Sequence, residues 1–268
     1  MSEHWDSGDA YESYVGRWSR LVAPRFLAWA GVPAGGAILD AGCGAGALGQ
    51  AALAHGAARL VGLDRSLAYA AHAAGATRAA APPALASYVV GDAGRLPFAA
   101  GVFDAAVSGL VLNFLPDPVG ALRELRRVVC PGGVVAAYVW DYAGRMELMR
   151  HFWDAAIELA PEAAGPLDEG VRFPLCRPEP LAALCRAAGL AGVATAAIDV
   201  PTVFRDFADY WCPFLGGQGP APGYAASLAP AERARLRERL RARLPSAPDG
   251  QIALVARAWA VRGVTGEC

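Results

Sequence analysis

The sequence predicts an α/β fold, a Rossmann-like, doubly wound sheet of seven mostly parallel strands with helices on both faces. Three observations support this prediction. From residue 36 onward, short apolar segments alternate with Ala-rich helical stretches, which is typical of repeated βαβ units. A glycine-rich turn follows the first apolar segment. The 268 residues are 55% hydrophobic and only 18% charged, which is enough apolar material for a sizeable core.

The elements follow one another in a regular order. The predicted strands are 37–40, 60–63, 87–90, 103–107, 134–139, 192–199 and 251–260, and helices are predicted near 46–55, 66–75 and 178–188. A further helix begins after Asp117, which can cap it, with Pro118 in its first turn and Leu122, Leu125 and Val129 on its apolar face. We expect Pro131-Gly132-Gly133 to end that helix, and the last strand to run antiparallel.

Residues 1–268 are predicted to form a single domain. Within it, 1–35 supply N-terminal lid helices and 36–140 the cofactor-binding core. The segments 141–177 and 200–229 are too long for ordinary connections between strands and helices. Both are rich in aromatic residues, so we interpret them as two insertions that form a substrate cap.

Composition excludes several classes of function. All 24 basic residues are Arg, so covalent catalysis through a lysine Schiff base is impossible. The net charge of −1 gives no global attraction to nucleic acid, which disfavours RNA as the substrate. No apolar run is long enough for a membrane span, and the polar start lacks a secretory signal, so we expect a cytoplasmic protein. Six irregularly spaced cysteines predict free thiols, and four scattered histidines predict no metal site.

The central signal is the segment Ile38–Gly46. Asp40 ends the first predicted strand, and Gly42, Gly44 and Gly46 open the turn into a helix. Glycine lets a ligand approach the backbone, and the helix start that follows offers free N–H groups. The overlapping segment Gly44–Gly49 also fits the dinucleotide fingerprint G-x-G-x-x-G. The turn alone therefore leaves both S-adenosylmethionine (SAM) and a nicotinamide dinucleotide open.

Three acidic positions favour SAM. Asp40 precedes the first glycine, where it would repel a pyrophosphate but attract the ammonium of a methionine group. Asp64 ends the second strand, where a carboxylate can hold two ribose hydroxyls, although nicotinamide cofactors use the same device. Asp92 follows the third strand, where it can accept a hydrogen bond from the exocyclic amine of an adenine.

The order and spacing of five segments resemble those of class I SAM-dependent methyltransferases, in particular the ubiquinone/menaquinone-biosynthesis type and its small-molecule relatives. These segments are LDAGCGAG, GLD, GDAGRLPF, FDAAVSGLVLNFLPD and RVVCPGG, and they lie within residues 36–140. Upstream, YESYVGRWS at 11–19 is similar to an N-terminal segment of many relatives. Two positions depart from the pattern: Asn113 replaces a frequent His, and Cys130 replaces a common basic residue.

The resemblance implies which residues bind SAM. Roles at the methionine end, the ribose and the adenine fall on Asp40, Gly42, Gly44, Gly46, Asp64, Arg65, Ser66, Asp92, Ala93 and Ser108. Tyr14 and Arg17 are candidates to cover the cofactor, with Arg17 pairing to its carboxylate. Ordinary positions on a helix surface are the alternative for these two residues.

For the acceptor, the resemblance implies in-line methyl transfer to a small molecule. The aromatic residues of the insertions suggest a neutral, ring-containing metabolite. We expect Asn113, Trp153, Phe173, Trp211 and Phe214 to line its pocket, with packing in the core as the alternative for the aromatic residues. His151 is a weak candidate for a general base, as are Asp141 and Tyr142. Two other functions stay open: an NAD(P)-dependent oxidoreductase, and a protein that binds SAM without turning it over.

Overall fold

A computed structural model describes residues 12–80, 85–216 and 219–266. It confirms the α/β fold with a seven-stranded sheet flanked by helices. The strands are β1 (Ala37–Ala41), β2 (Arg59–Asp64), β3 (Ala86–Val90), β4 (Phe103–Gly109), β5 (Val129–Trp140), β6 (Ala191–Phe204) and β7 (Ile252–Val264). Their order in the sheet is β3-β2-β1-β4-β5-β7-β6.

Helices connect these strands. They are α1 (Arg17–Ala30), α2 (Ala47–Ala54), α3 (Leu67–Ala80), α4 (Pro118–Val128), α5 (Glu147–Leu159), α6 (Pro161–Ala164), α7 (Glu169–Arg172), α8 (Pro178–Ala187), α9 (Phe207–Trp211), α10 (Pro220–Ser227) and α11 (Pro230–Arg243). The predicted cap of α4 is confirmed, because the Asp117 carboxylate accepts a hydrogen bond of 2.8 Å from the Gly120 N–H.

The strand pairing shows where a ligand crevice can open. β1 pairs in parallel with β2 and with β4, β2 pairs with β3, and β4 pairs with β5. The chain therefore moves outward from β1 to β3 and then returns to the other side of β1 with β4. Such a reversal of strand order opens a crevice beyond the carboxyl ends of the strands.

The last strand runs antiparallel to β5, as predicted. The Asp141 N–H donates to the Arg257 carbonyl, and the Thr265 N–H donates to the Gly133 carbonyl. Residue numbers thus rise along one strand while they fall along the other.

Several predicted boundaries are wrong. Helix α3 continues to Ala80 and β7 to Val264, and Val129, predicted on the apolar face of a helix, begins β5. Strand β5 begins at Val129 rather than at 134, because the Pro131-Gly132-Gly133 segment pairs with β7 instead of forming a loop. There the Gly132 N–H donates to the Thr265 carbonyl, and the Thr265 hydroxyl donates to the Cys130 carbonyl at 2.6 Å. Strand β6 continues to Phe204, so residues 200–204 belong to the sheet and not to the second insertion.

The chain folds into two compact units, each built from separated segments. The first, which we call the sheet unit, contains the described residues within 19–139, 177–198 and 258–266. The second, which we call the aromatic unit, contains those within 12–18, 140–176 and 199–257. The two predicted insertions supply most of the aromatic unit.

Within the described parts of the chain, no helix is both long and apolar enough to cross a membrane. The same residues include five free cysteines, of which only Cys212 is exposed. The sixth, Cys268, lies outside the described residues.

Candidate functional site

The glycine turn after β1 adopts a backbone that favours glycine. Gly42, Gly44 and Gly46 have φ angles of +79°, +47° and +87°, in the left-handed region. A Cβ atom on Gly42 would overlap the side chain of Val111, whereas one on Gly44 would meet nothing within 4 Å. The turn is thus closely packed at its start and open above Gly44, where a ligand can reach the backbone.

The Asp64 carboxylate fixes this turn to the end of β2. Its Oδ2 accepts a hydrogen bond of 2.9 Å from the Gly44 N–H, and its Oδ1 accepts one of 2.9 Å from the Ser66 N–H. The side chain is buried and held in one orientation by both bonds. A carboxylate oxygen has lone pairs for more than one donor, so Asp64 can still accept hydrogen bonds from a ligand.

Asp40 is buried without a hydrogen-bond partner. Its residue is 1% exposed, and neither carboxyl oxygen forms a well-aligned hydrogen bond with a described residue. Burial and then the negative charge of Asp64 raise the pKa of Asp40 to about 7, and the nearby Gly49 backbone N–H opposes this rise. An isolated buried carboxylate is costly, and a cation beside it would lower its pKa again. Asp40 is therefore suited to a cationic ligand group.

The residues after β4 pack against the glycine turn. The Ser108 hydroxyl donates to the Ala41 carbonyl at 2.7 Å. Leu110 has a φ of +63°, the only positive value among the described non-glycine residues, and its N–H donates to the Tyr138 carbonyl. Backbone strain of this kind is common where a structure holds functional groups in place. Three residues later, Asn113 is buried, and neither its amide nitrogen nor its amide oxygen has a partner among the described residues.

The residues predicted for the adenosine end lie at the surface of the sheet unit. Asp92 is exposed, and its Oδ1 accepts a hydrogen bond of 2.8 Å from the Gly94 N–H. Arg65 is exposed as well, and Ala93 and Ser66 are partly exposed. Their binding roles remain predictions.

The strand register brings the acidic positions to one edge of the sheet. Ala41 pairs with Leu63, and Asp64 pairs with Val90, so β1, β2 and β3 end side by side. Asp40 pairs with Val107 of β4, next to Ser108. The predicted SAM residues of these strands thus share the edge where the strand order reverses.

Tyr14 and Arg17 belong to the aromatic unit. The Arg17 guanidinium pairs with the Asp209 carboxylate at 3.1 Å and lies over the rings of Trp18 and Phe204. Arg17 is therefore engaged within its own unit, and its pairing with a cofactor carboxylate remains a prediction. Tyr14 is buried, and its hydroxyl has no partner among the described residues.

Three of the four aromatic residues predicted to line a pocket are buried in the aromatic unit. Phe214 stacks on Phe152 at 4.5 Å between ring centroids, and Trp211 lies 6.2 Å from Phe214. Trp153 contacts Phe152 at 5.2 Å. This packing favours the core alternative for Trp153, Trp211 and Phe214, because the rings contact one another. Phe173, by contrast, is partly exposed.

The candidate bases differ in their surroundings. Burial lowers the pKa of His151, so its imidazole is neutral near pH 7. Asp141 is buried and accepts a hydrogen bond of 2.9 Å from the Arg145 N–H, an interaction that closes a turn. Tyr142 is buried beside Phe173. A catalytic role for any of the three remains a prediction.

A further buried acid was not predicted. Glu169 is 1% exposed, its Oε2 accepts a hydrogen bond from the Trp153 indole N–H, and its Oε1 has no partner among the described residues. Burial raises the pKa of Glu169 to about 8. No sequence motif marks Glu169, because the residues around it come together only in the folded chain. In the part of the chain that the structure describes, no group of acidic, His or Cys residues is arranged to hold a metal ion.

Part of the chain is similar to known proteins. Residues 39–137 match the family model described as the methyltransferase domain. The matched range begins within β1 and ends within β5, so it contains the glycine turn, Asp64, Asp92 and the segment after β4.

Two curated relatives share this part of the chain. The 2-phytyl-1,4-naphtoquinone methyltransferase of Synechococcus elongatus is 34% identical over 121 residues, 44% of this chain and 50% of that protein. The malonyl-[acyl-carrier protein] O-methyltransferase of Pseudescherichia vulneris is 32% identical over 149 residues, 56% of each. The chain thus spans about half the length of the curated relatives it matches.

Solved structures share the fold at low sequence identity. The YcgJ protein of Bacillus subtilis has a TM-score of 0.58 at 16% identity, covering 94% of this chain and 100% of that one. Phosphoethanolamine N-methyltransferase 2 of Haemonchus contortus, solved in complex with SAM, has a TM-score of 0.60 at 16% identity, covering 97% of this chain and 57% of that one. These likenesses support the fold.

Proposed function

We propose that this chain is a SAM-dependent methyltransferase that acts on a small-molecule acceptor. The observation that carries the proposal is the buried, unpartnered carboxyl of Asp40, which directly precedes a turn of glycines with positive φ. The matched methyltransferase family supports the same function.

The residues at this edge of the sheet fit SAM. Asp40 would hold the ammonium of the methionine group, and this charge would satisfy a carboxyl that forms no well-aligned hydrogen bond with the described residues. The open backbone at Gly44 would let the methionine group approach the turn. Asp64, already oriented by Gly44 and Ser66, would accept hydrogen bonds from the ribose hydroxyls. Asp92 would accept one from the adenine amine.

The same arrangement argues against a nicotinamide dinucleotide. A pyrophosphate at the glycine turn would lie near Asp40 and would force that carboxyl to stay protonated. Asp64 lies close enough to raise the pKa of Asp40, so the turn already has acidic neighbours. A cation relieves this repulsion, whereas an anion increases it.

When bound, SAM supplies a methyl group that its sulfonium has already activated. The chain then has to bind the cofactor, orient the acceptor and exclude water. Asp40 would hold the methionine ammonium and Asp64 the ribose hydroxyls, and the backbone of the glycine turn would contact the methionine group. Because the sulfonium activates the methyl group, the chain needs no nucleophile, and the sequence contains no nucleophile motif.

We propose a neutral, ring-containing metabolite as the acceptor. One relative is named as a naphthoquinone methyltransferase, and a second, from Synechocystis, as a 2-methyl-6-phytyl-1,4-hydroquinone methyltransferase. The lack of a strongly basic net charge also favours a small neutral molecule over RNA.

The proposal is tested by measuring S-adenosylhomocysteine release from SAM with a panel of acceptors. The panel contains naphthols and hydroquinones on one side, and RNA, a peptide mixture and small amines on the other. We expect turnover with the ring-containing acceptors only. Tight SAM binding without any turnover would identify a binding protein instead, and turnover with RNA or peptide alone would contradict the proposed acceptor class.

A further inference from the structure

The Asp40 carboxyl lies in the interior of the sheet unit, against α2. Its Oδ2 is 3.3 Å from the point that a Cβ atom on Gly49 of α2 would occupy, and a methyl carbon of Leu60 is 2.9 Å from the same point. The Gly49 N–H is nearby but forms no well-aligned hydrogen bond with the carboxyl. Among the described residues, Asp40 therefore has no donor that is aligned to stabilise a negative charge.

The polar groups around Asp40 do not supply a counter-charge. Three of them lie within range of its charge, and none is a cation: Cys43, Tyr88 and Tyr138. The Tyr88 hydroxyl is bonded to the Thr77 hydroxyl at 2.6 Å, and the Tyr138 hydroxyl is bonded to the Ser19 hydroxyl at 2.9 Å. Burial raises the pKa of all three groups, so they are neutral at pH 7.

Asp64, the second acid at this edge of the sheet, is in a different situation. Its carboxylate accepts hydrogen bonds of 2.9 Å from the Gly44 N–H and from the Ser66 N–H. Its negative charge acts on Asp40, and two neighbouring acids that both ionise repel each other. In the absence of a cation, Asp40 is therefore the acid that keeps its proton, in agreement with its raised pKa of about 7.

We propose that binding of SAM is coupled to the release of one proton from Asp40. This inference rests on the proposed function, in which Asp40 holds the ammonium of the methionine group. On binding, the O–H bond of the neutral Asp40 carboxyl breaks, its electron pair stays on the carboxylate, and the proton passes to the buffer. The ammonium keeps its own protons and pairs with the carboxylate. One positive charge thus replaces another, and the carboxyl and its partner together stay neutral.

Calorimetry counts the released protons. The full chain is titrated in two buffers of equal pH, PIPES and imidazole, because these buffers differ in their enthalpy of ionisation. The difference between the observed heats gives the number of protons released per ligand bound. The titrations are run at pH 6 and at pH 7, where the ligand amine is an ammonium, since an α-amino group titrates at about pH 8.

Three ligands separate the two ends of the cofactor. SAM and S-adenosylhomocysteine both carry the ammonium, whereas 5′-methylthioadenosine has the ribose and the adenine but lacks the amino-acid group. With the first two we expect about 0.9 proton released at pH 6 and about 0.5 at pH 7, the protonated fraction of Asp40 in the free protein. SAM affinity should be about fivefold weaker at pH 6 than at pH 7 for the same reason. Binding of 5′-methylthioadenosine should release no proton.

Two variants assign the proton to one residue. Asp40→Asn cannot titrate, so it should bind SAM more weakly and release no proton at either pH. Asp104→Asn is the matched control, because Asp104 is an exposed acid of the same unit that accepts a hydrogen bond of 2.8 Å from the Ala37 N–H, at the start of β1. It should release as many protons as wild type. If Asp40→Asn binds SAM too weakly to titrate, the contrast between SAM and 5′-methylthioadenosine in wild type decides.

Three results would overturn the inference. SAM binding without proton release at pH 6 would do so and leave the proposed function intact. Equal release with 5′-methylthioadenosine would place the proton at the ribose or adenine end, and unchanged release in Asp40→Asn would assign it to another residue. A folded wild-type chain that does not bind SAM at all would contradict the proposed function itself, and this inference with it.

Discussion

The sheet unit and the aromatic unit each bury a carboxyl group with an unpartnered oxygen, but they do so in different surroundings. Asp40 lies before a turn of positive-φ glycines and beside Asp64, whose hydrogen bonds hold that turn. Glu169 lies among rings, with the Trp153 N–H as its donor. The first environment combines acids and open backbone and suits a cationic, polar ligand. The second is a packed, apolar interior that favours the neutral form of the acid.

This difference teaches that buried acids in one chain can have different physical settings. The groups proposed for the cofactor are backbone atoms and carboxylates at strand ends, which are fixed by the sheet. Glu169 instead lies on a short helix, with its carboxyl against the Trp153 indole. Neutralising each acid without changing its shape separates the two settings.

The largest effect is expected from Asp40→Asn. The pKa of Asp40 is about 7 in the folded protein and near 4 in the unfolded chain. Wild type therefore loses stability as the pH rises from about 4 to 7. Asn does not titrate, so the variant should gain about 3 kcal/mol relative to wild type between pH 4 and pH 7. Its SAM affinity should fall at the same time. Urea unfolding at both pH values and a SAM titration measure the two effects. Equal pH dependence in both proteins would contradict the assignment of a buried, neutral Asp40.

The next effect is expected from Glu169→Gln. Its folded pKa of about 8 lies above the unfolded value, so the stability that the neutral acid provides is complete near pH 4 and is lost as pH rises to 8. Relative to wild type, the variant should gain about 3 kcal/mol between pH 4.5 and pH 7. Unlike Asp40→Asn, it should leave SAM affinity unchanged. A SAM affinity that falls equally in both variants would remove the distinction between the two regions.

These two acids also show what could be predicted from the sequence. The glycine pattern and the acids at the ends of three apolar segments placed Asp40, Asp64 and Asp92 at one edge of the sheet, because their signals are local. Glu169 has no local signal, since its environment comes from Tyr14 and Trp153, which are distant in sequence. The same limit applies to Trp153 and Phe214, for which composition allowed both a pocket wall and a core position.

The boundaries that were predicted wrongly have the same cause. Pro131-Gly132-Gly133 is typical of a turn, yet Thr265, more than a hundred residues away, pairs with it and makes it part of β5. Hydrogen bonds between residues distant in sequence can override the local preference for a turn. A pattern of neighbouring residues does not reveal such bonds.

A smaller effect on stability is expected when a glycine of each unit is replaced by alanine. Gly42→Ala forces alanine into a positive φ and against Val111, so we expect a loss of about 2 kcal/mol in the free energy of unfolding. The matched control is Gly223→Ala in α10 of the aromatic unit, where an added Cβ meets nothing within 4 Å. That change should increase stability by up to about 1 kcal/mol. Urea unfolding measures both variants, and a neutral Gly42→Ala would show that the turn does not require glycine.

The central claim, that the edge at β1 and β2 binds SAM, is tested most directly by calorimetric titration of wild type and Asp64→Ala with SAM and with NAD. Asp64 is proposed to hold two ribose hydroxyls, and hydrogen bonds to a charged group contribute roughly 1.5–3 kcal/mol each. We predict one SAM bound per wild-type chain, no measurable NAD binding, and SAM affinity at least about tenfold weaker in Asp64→Ala. NAD binding without SAM binding, or unchanged SAM affinity in a folded Asp64→Ala protein, would contradict the claim.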